Sequence, residues 1–304
     1  MTILSVAYPL FPVAQDSGGG AEQIVYLLDR EFTRLGHCSI VVAGSVNAIQ
    51  RILRERPVDL IHFHGLDFHE YVPETSVLML ATLHLPLSWY PESIFSLLPR
   101  VKLNCVSASQ AAGTGLPVVL NGIDTARFQV AAAKEDYLLW LGRICPEKGT
   151  HLALRVARRL GMKMIVAGPV HDFEFHRQYF ANEVAPLLDS ERKYIGPVQG
   201  EDKTKLLAEA RCVVVSSLVA ETSSLVAMEA IASGTAVVAF RSGALPKVVE
   251  EGVTGFIVDS EEEMAEAVVK VHRISPGICR SRAVTRFDAG RMARDYLSLY
   301  AGAG

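Results

Sequence analysis

The sequence predicts an α/β protein built from two doubly wound parallel sheets. Short runs rich in Val, Ile and Leu alternate with longer amphipathic runs, a pattern typical of strands connected by helices. The second half of the chain repeats the alternation of the first. The 304 residues suit two domains, since a domain usually takes about 100–200 residues.

The first half is predicted to form one Rossmann-like unit, residues 1–124. A glycine-rich turn at 17–20 separates the first strand from the first helix, which is how such units begin. Helices are expected at 21–36 and 47–57. Strands are expected at 2–8, 38–44, 58–64, 76–84 and 103–107.

The second Rossmann-like unit is predicted over residues 125–285. The boundary is expected between Gly122 and Glu135, where the chain is rich in small and charged residues and has no periodicity. Apolar residues at helical spacing from 275 to 300 predict a C-terminal helix. Its last part, residues 286–304, is expected to cross back to the first domain. Strands are expected at 137–142, 162–168, 193–196, 211–217, 235–240 and 255–258. Two such sheets would face a central cleft at the carboxyl ends of their strands, where ligands bind in these folds.

Composition excludes several classes of protein. A net charge of −3 provides no excess of basic residues that would favour binding to nucleic acid. There is no apolar run of 18 or more residues and no signal-peptide pattern, so a cytoplasmic location is expected. The five cysteines are scattered without a Cys-x-x-Cys pair, which favours reduced core residues over a disulfide framework or zinc ribbon.

The most informative stretch lies between Glu221 and Glu229. It follows a buried strand and predicts a helix that Ser223 or Ser224 would cap. The first N–H groups of a helix have no intrahelical acceptor and favour anions such as phosphate. Two carboxylates beside a phosphate site suggest a ligand that is also rich in hydroxyls, as a nucleotide sugar is.

Four segments in order resemble the retaining glycosyltransferases of group 1, or family 4, which have the GT-B fold. They are the Gly-Gly loop with its long helix at 17–37, Asn-Gly-Ile-Asp-x-x-x-Phe at 121–128, Gly-Arg-x-x-x-x-Lys-Gly at 142–149 and Glu-x7-Glu at 221–229. The resemblance covers nearly the whole chain. It implies transfer of a sugar from a UDP- or GDP-linked donor to a glycan, a lipid-linked acceptor or a small molecule. No metal or other cofactor is required in the family.

The resemblance also implies roles for individual residues. Arg143 and Lys148 would neutralise the diphosphate, Glu221 would contact the transferred sugar, and His84 would hold the sugar or the acceptor. These four form the candidate catalytic set. The candidate donor-binding set comprises Arg143 and Lys148 again, with Gly18, Gly19, Gly20, Gly196, Val198, Ser224, Leu225, Val226 and Glu229. Glu229 would accept hydrogen bonds from the ribose, and neither glutamate would act as a nucleophile.

The chain departs from the family at Ser223 and Ser224, where Phe-Gly is common, and its first domain is short. A sugar-nucleotide-binding or scaffold protein without turnover is therefore the alternative function, and sugar-nucleotide epimerisation is a weaker one. A metal site at His62 and His64 is less favoured than local hydrogen bonding. For the aromatic segment 87–101, core packing is favoured over contact with a membrane or a lipid-linked acceptor.

Overall fold

The computed structural model describes residues 1–302 and contains two parallel β-sheets. One has five strands in the order β2-β1-β3-β4-β5, and the other has six in the order β11-β10-β9-β6-β7-β8. The predicted α/β class with two Rossmann-like sheets is confirmed, and every strand expected from the apolar runs is present within one or two residues at each end.

The first sheet and its helices follow the predicted order along the chain. Residues before α1 form an irregular loop that carries the glycine-rich turn. The elements are β1 (Thr2–Ala7), α1 (Gly20–Arg34), β2 (Cys38–Ala43), α2 (Val46–Glu55), β3 (Leu60–Phe63), β4 (Leu78–Leu83), β5 (Lys102–Cys105) and the short α3 (Ala108–Ala111).

The second sheet begins at β6 (Tyr137–Leu141). It continues with α4 (Thr150–Arg159), β7 (Lys163–Ala167), α5 (Glu174–Tyr179), β8 (Arg192–Tyr194), α6 (Gly200–Glu209), β9 (Cys212–Val215), α7 (Leu225–Ala232), β10 (Ala236–Phe240), α8 (Leu245–Val248), β11 (Gly255–Val258) and α9 (Glu261–Lys270). A π-helical turn, Phe180–Val184, follows α5 directly.

The C-terminal tail differs from the single helix that its apolar spacing predicts. It forms α10 (Pro276–Phe287) and α11 (Ala289–Ala301), separated at Asp288. Asp288 has extended backbone angles, and its side chain accepts a hydrogen bond from Gly290 N at 2.9 Å. An aspartate in this position satisfies a free N–H of a new helix and so ends the preceding one.

The chain divides into two compact units. The first comprises residues 1–124 with the chain from Phe287 onward, and the second comprises Thr125–Arg286. In the first unit α11 packs against α1 and contributes buried Tyr296 and Tyr300 to the core. Within residues 1–302, no helix combines the length and the apolar character needed to cross a membrane.

Candidate functional site

The strand order of the second unit reverses between β6 and β9. Ligands of doubly wound sheets bind at the carboxyl ends of the strands beside such a reversal, because the connecting helices there lie on opposite faces and leave a crevice. The loop after β6 carries Arg143 and Lys148, and the loop after β9 carries Glu221 and leads into α7. Topology therefore places three of the predicted site residues at the expected binding position of this unit.

The loops after β6 and β9 are tied together by hydrogen bonds. The Ser216 hydroxyl accepts from Trp140 Nε1 at 3.0 Å and lies 2.8 Å from the carbonyl oxygen of Gly149. The backbone N–H of Leu218 donates to the carbonyl of Glu147 at 2.8 Å. Because these contacts are buried or nearly so, Lys148 projects from a loop with a defined backbone.

Two glycines allow the close approach of these loops. Gly149 has φ +61°, and a Cβ there would lie 2.3 Å from the carbonyl oxygen of Ser216. Gly243 has φ +52°, and its Cβ would lie 2.2 Å from the carbonyl oxygen of Glu221. Both positions therefore favour glycine for conformation and for space. The second contact fixes the backbone that presents the Glu221 carboxylate.

The structure brings Lys148 and Glu221 into contact. Lys148 Nζ lies 2.5 Å from Glu221 Oε1, with side-chain exposures of 26% and 10%. Arg143 is exposed on the same loop, and its positive charge adds to burial in lowering the pKa of His171 and His176. The loop after β6 thus carries two cations, one of which is paired with the first glutamate of the Glu-x7-Glu segment.

Helix α7 begins where the sequence predicts, and Ser224 is the residue that caps it. Its hydroxyl accepts from the N–H of Ala227 at 3.4 Å. Leu225 and Val226 form the first turn, where backbone N–H groups have no intrahelical acceptor. Ser224 has φ −131°, which any residue adopts, so a serine at this position introduces no backbone strain.

Glu229 lies within α7 and is only 4% exposed. Its Oε1 pairs with Lys203 Nζ at 2.7 Å. Its Oε2 is buried without a hydrogen-bond partner among residues 1–302. Sequence reasoning missed Lys203, because this lysine stands near the start of α6 with no motif around it.

Gly196 and Val198 of the predicted donor-binding set follow β8. Gly196 accepts a hydrogen bond from Gly168 N at 2.8 Å, and Tyr194 OH donates to the Gly168 carbonyl at 2.9 Å. Val198 lies just before Gln199, the N-cap residue of α6. These contacts hold the chain after β8 beside the end of β7, next to the strand that leads to Arg143.

In the first unit the strand order reverses between β1 and β3, and the glycine-rich turn follows β1. Gly18 precedes Gly19, the N-cap residue of α1, and Gly20 begins that helix. The carboxylate of Glu22 covers Gly19, since a Cβ on Gly19 would lie 1.9 Å from Glu22 Oε2. Burial raises the pKa of Glu22. The Glu22 carboxylate therefore occupies the space that a side chain at position 19 would fill, which favours glycine there.

His84 follows β4 and contacts a histidine that the sequence assigned to a neighbouring strand. His84 Nε2 lies 3.0 Å from His64 Nδ1, and the two rings stack with centroids 5.3 Å apart. Burial lowers the pKa of His84 to about 4. Burial, together with the neighbouring histidines, also lowers the pKa of His64 well below its usual value. The pair is therefore neutral near pH 7.

His62 continues this buried cluster towards α11. Its Nε2 lies 2.7 Å from Thr82 Oγ1, and its Nδ1 lies 2.8 Å from Tyr300 OH. His62 thus makes local hydrogen bonds, as the sequence favoured. Among residues 1–302, no group of three metal-ligand side chains forms at His62 and His64.

The aromatic segment 87–101 is divided between core and surface. Tyr90 and Ile94 are buried in the core of the first unit, in agreement with the favoured packing role. Trp89, Phe95 and Leu98 are exposed. The prediction of core packing is therefore confirmed for only part of the segment.

Comparison with known proteins shows what the second unit and the whole fold are similar to. The family model described as "Glycosyl transferases group 1" matches residues 135–273. The D-inositol 3-phosphate glycosyltransferase of Mycobacterium sp. (strain JLS) is 32% identical over 195 residues, which cover 59% of this chain and 44% of that protein. The match thus spans less than half the length of this curated relative.

Solved structures of similar fold match along almost the whole chain. AviGT4, a glycosyltransferase involved in avilamycin A biosynthesis, has a TM-score of 0.79 and 25% identity, with 99% of this chain and 97% of that chain covered. Anabaena Alr3699/HepE in complex with UDP has a TM-score of 0.78 and 18% identity, with 99% and 100% covered. Residues 135–273 therefore match the model of the group 1 glycosyl transferases, and the chain has the GT-B fold of these solved structures.

Proposed function

We propose that this chain is a glycosyltransferase that moves a sugar from a nucleoside diphosphate sugar, UDP- or GDP-linked, to an acceptor hydroxyl with retention at the anomeric carbon. The observation that carries the proposal is the Lys148–Glu221 pair at the strand-order reversal, beside the first turn of α7. A cation, a carboxylate and free helix N–H groups together match a ligand with both phosphate and hydroxyl groups.

The diphosphate would be held by Arg143, Lys148 and the N–H groups of Leu225 and Val226. These groups stabilise the negative charge that grows on the leaving phosphate as the glycosidic bond breaks. The donor competes with Glu221 for the Lys148 ammonium, which releases the carboxylate to accept hydrogen bonds from the sugar. Fixed cations and N–H groups supply the positive charge, so we propose that the transfer itself is metal-independent.

The reaction breaks the bond between the anomeric carbon and a diphosphate oxygen and forms a bond from that carbon to the acceptor oxygen. We assign the acceptor proton to the departing phosphate, so that no carboxylate acts as a nucleophile. The protein then contributes orientation and charge stabilisation. His84 is assigned to the sugar or acceptor, and Gly18–Gly20 to the donor.

Glu229 is assigned to the ribose hydroxyls. Its unpartnered Oε2 supports this role, because a buried carboxylate oxygen usually finds a donor. Lys203 then holds the other oxygen and fixes the orientation of the carboxylate. Gly196 and Val198 lie at the end of β8, which suits contacts to the base through backbone groups.

The first experiment is a thermal-shift comparison of UDP, GDP and their sugar conjugates, since a ligand that binds the native state raises its melting temperature. Product analysis by NMR with the stabilising donor then reports transfer, hydrolysis or epimerisation and the anomeric configuration. Transfer with retention is expected. Nucleotide binding without turnover against a broad acceptor panel would instead support the binding-protein alternative suggested by Ser223 and Ser224.

A further inference from the structure

Three potential metal ligands lie close together where the loop that carries Arg143 and Lys148 meets α5. They are Cys145 and Glu147 from that loop and His176 from α5. One ligand atom from each residue lies within 4.8 Å of the other two. Cys145 and His176 are buried, with exposures of 1% and 3%, and Glu147 is partly exposed.

Two of these side chains have unused hydrogen-bonding atoms. Glu147 Oε2 and His176 Nδ1 are buried without a partner among the residues that the structure describes. Such atoms are few in native proteins, because an unpaired polar atom in the interior loses its hydrogen bonds to water without gaining others. Both atoms belong to side chains of the same three-residue cluster, and the Cys145 thiol makes a long contact, 3.7 Å to the carbonyl oxygen of Arg143. Two unpaired atoms in one cluster favour a ligand that the chain itself does not supply.

The charges of the cluster suit a divalent cation. A thiolate and a carboxylate together carry two negative charges, so a bound divalent ion forms a neutral centre beside the Arg143 guanidinium. A neutral imidazole nitrogen is a common metal ligand, and His176 would supply one. The bound ion would displace the proton of the Cys145 thiol.

We propose that Cys145, Glu147 and His176 form a zinc site that anchors the loop carrying Arg143 and Lys148 to α5. Sulfur, nitrogen and carboxylate oxygen are the ligands that Zn²⁺ prefers, and three protein ligands leave one position for water. Tetrahedral zinc requires ligand atoms about 3.3–3.6 Å apart, given bonds of about 2.0–2.3 Å. Ion binding would draw the three ligand atoms, now within 4.8 Å of one another, to this spacing.

The ion is structural in this proposal and contacts no substrate. Its effect on the candidate site is indirect, since it would restrict the turn Pro146–Lys148 that precedes Gly149. Only this effect rests on the proposed function. Metal binding itself is tested without any activity measurement.

The test uses the whole chain, stripped with chelator and titrated with Zn²⁺ against a chromophoric chelator, followed by Co²⁺ substitution. We expect one equivalent of zinc, a rise in melting temperature, and a thiolate-to-cobalt charge-transfer band. Cys145→Ser and His176→Gln should each weaken binding at least tenfold, and Cys145→Ser should abolish the band. Cys38→Ser, at an exposed cysteine, is the matched control.

Circular dichroism of each variant separates lost binding from lost folding. The proposal is overturned if the folded wild-type chain binds no stoichiometric zinc. It is also overturned if the cobalt complex lacks the thiolate band, or if Cys38→Ser rather than Cys145→Ser removes binding. A Glu147–His176 ion pair without metal would give the first of these results.

Discussion

Lys148 Nζ lies 2.5 Å from Glu221 Oε1, although the two residues are 73 positions apart. The pair joins the loop after β6 to the loop before α7. Each side chain neutralises the charge that the other would otherwise present to a ligand. A nucleoside diphosphate sugar must therefore exchange partners with both residues, which makes the pair a sensitive point for mutation.

Lys148→Ala should weaken binding of the nucleoside diphosphate by about 10–100-fold, because it removes a charge-assisted hydrogen bond worth about 1.5–3 kcal/mol. Isothermal titration calorimetry measures this loss. Lys163→Ala, at an exposed lysine that begins β7, is the control and should bind normally. Equal affinity of Lys148→Ala and wild type would remove Lys148 from the phosphate site.

Glu221→Gln should separate binding from turnover. The amide cannot form the ion pair, so Lys148 becomes available and the affinity for the nucleoside diphosphate should stay equal or rise. Sugar transfer should fall at least about 100-fold, because the amide also supplies a weaker acceptor for the sugar hydroxyls. Steady-state kinetics with Glu262→Gln, at an exposed glutamate, as control checks this split. A loss of nucleotide affinity without a fall in kcat would contradict the assignment.

Lys203→Ala should destabilise the second unit by about 3 kcal/mol. It leaves the Glu229 carboxylate buried without a counter-charge, which costs more than losing a surface pair. Adding Glu229→Gln should recover most of the loss. Chemical denaturation of the single and double variants measures the coupling. Lys205→Ala, on the exposed face of α6, should change stability by less than about 0.5 kcal/mol.

Gly243→Ala tests how the Glu221 backbone is held. Its effect should exceed that of Gly252→Ala, since Gly252 has a similar φ of +68° but open space around it. The control should cost about 1–2 kcal/mol for the left-handed conformation alone. Gly243→Ala should cost at least about 2 kcal/mol more and reduce transfer, because the new methyl group would collide with Glu221. Equal stabilities, measured by denaturation, would show that this contact is unimportant.

Acid should destabilise the first unit through its buried histidine cluster. The ordinary histidine pKa is about 6.5, whereas that of His84 in the fold is lowered to about 4. Between these values the unfolded chain binds more protons, so stability is complete above about pH 6.5 and falls as the pH drops towards 4. The pKa values of buried His62 and His64 are lowered too and act in the same direction.

Hydrogen exchange of the amides in β3 and β4 at pH 7 and pH 5 measures this loss. His84 alone should contribute on the order of 1 kcal/mol, because it is partly exposed. His84→Asn should reduce the pH dependence, whereas His37→Asn, a half-buried position just before the edge strand β2, should leave it unchanged. The same pH dependence in His84→Asn and wild type would show that His84 is not a source of the acid destabilisation.

The two-sheet α/β fold could be predicted from the amino-acid sequence, because strand alternation, turn glycines and helix caps act over a few residues. The sequence also placed Lys148 and Glu221 in motifs. The tail break at Asp288 was missed, although an aspartate cap is a local signal, because the apolar spacing continues across it.

Which side chains meet depends on the fold of the whole chain. Lys148 with Glu221, Lys203 with Glu229, His64 with His84, and Cys145 and Glu147 with His176 all come from separate strands, helices or loops. Such contacts depend on strand order and loop packing, as where Ser216 ties the loop after β9 to Gly149. Strand order and loop packing cannot be inferred from a short stretch of sequence. The partners of the charged and ligating residues could therefore be identified only in the folded chain.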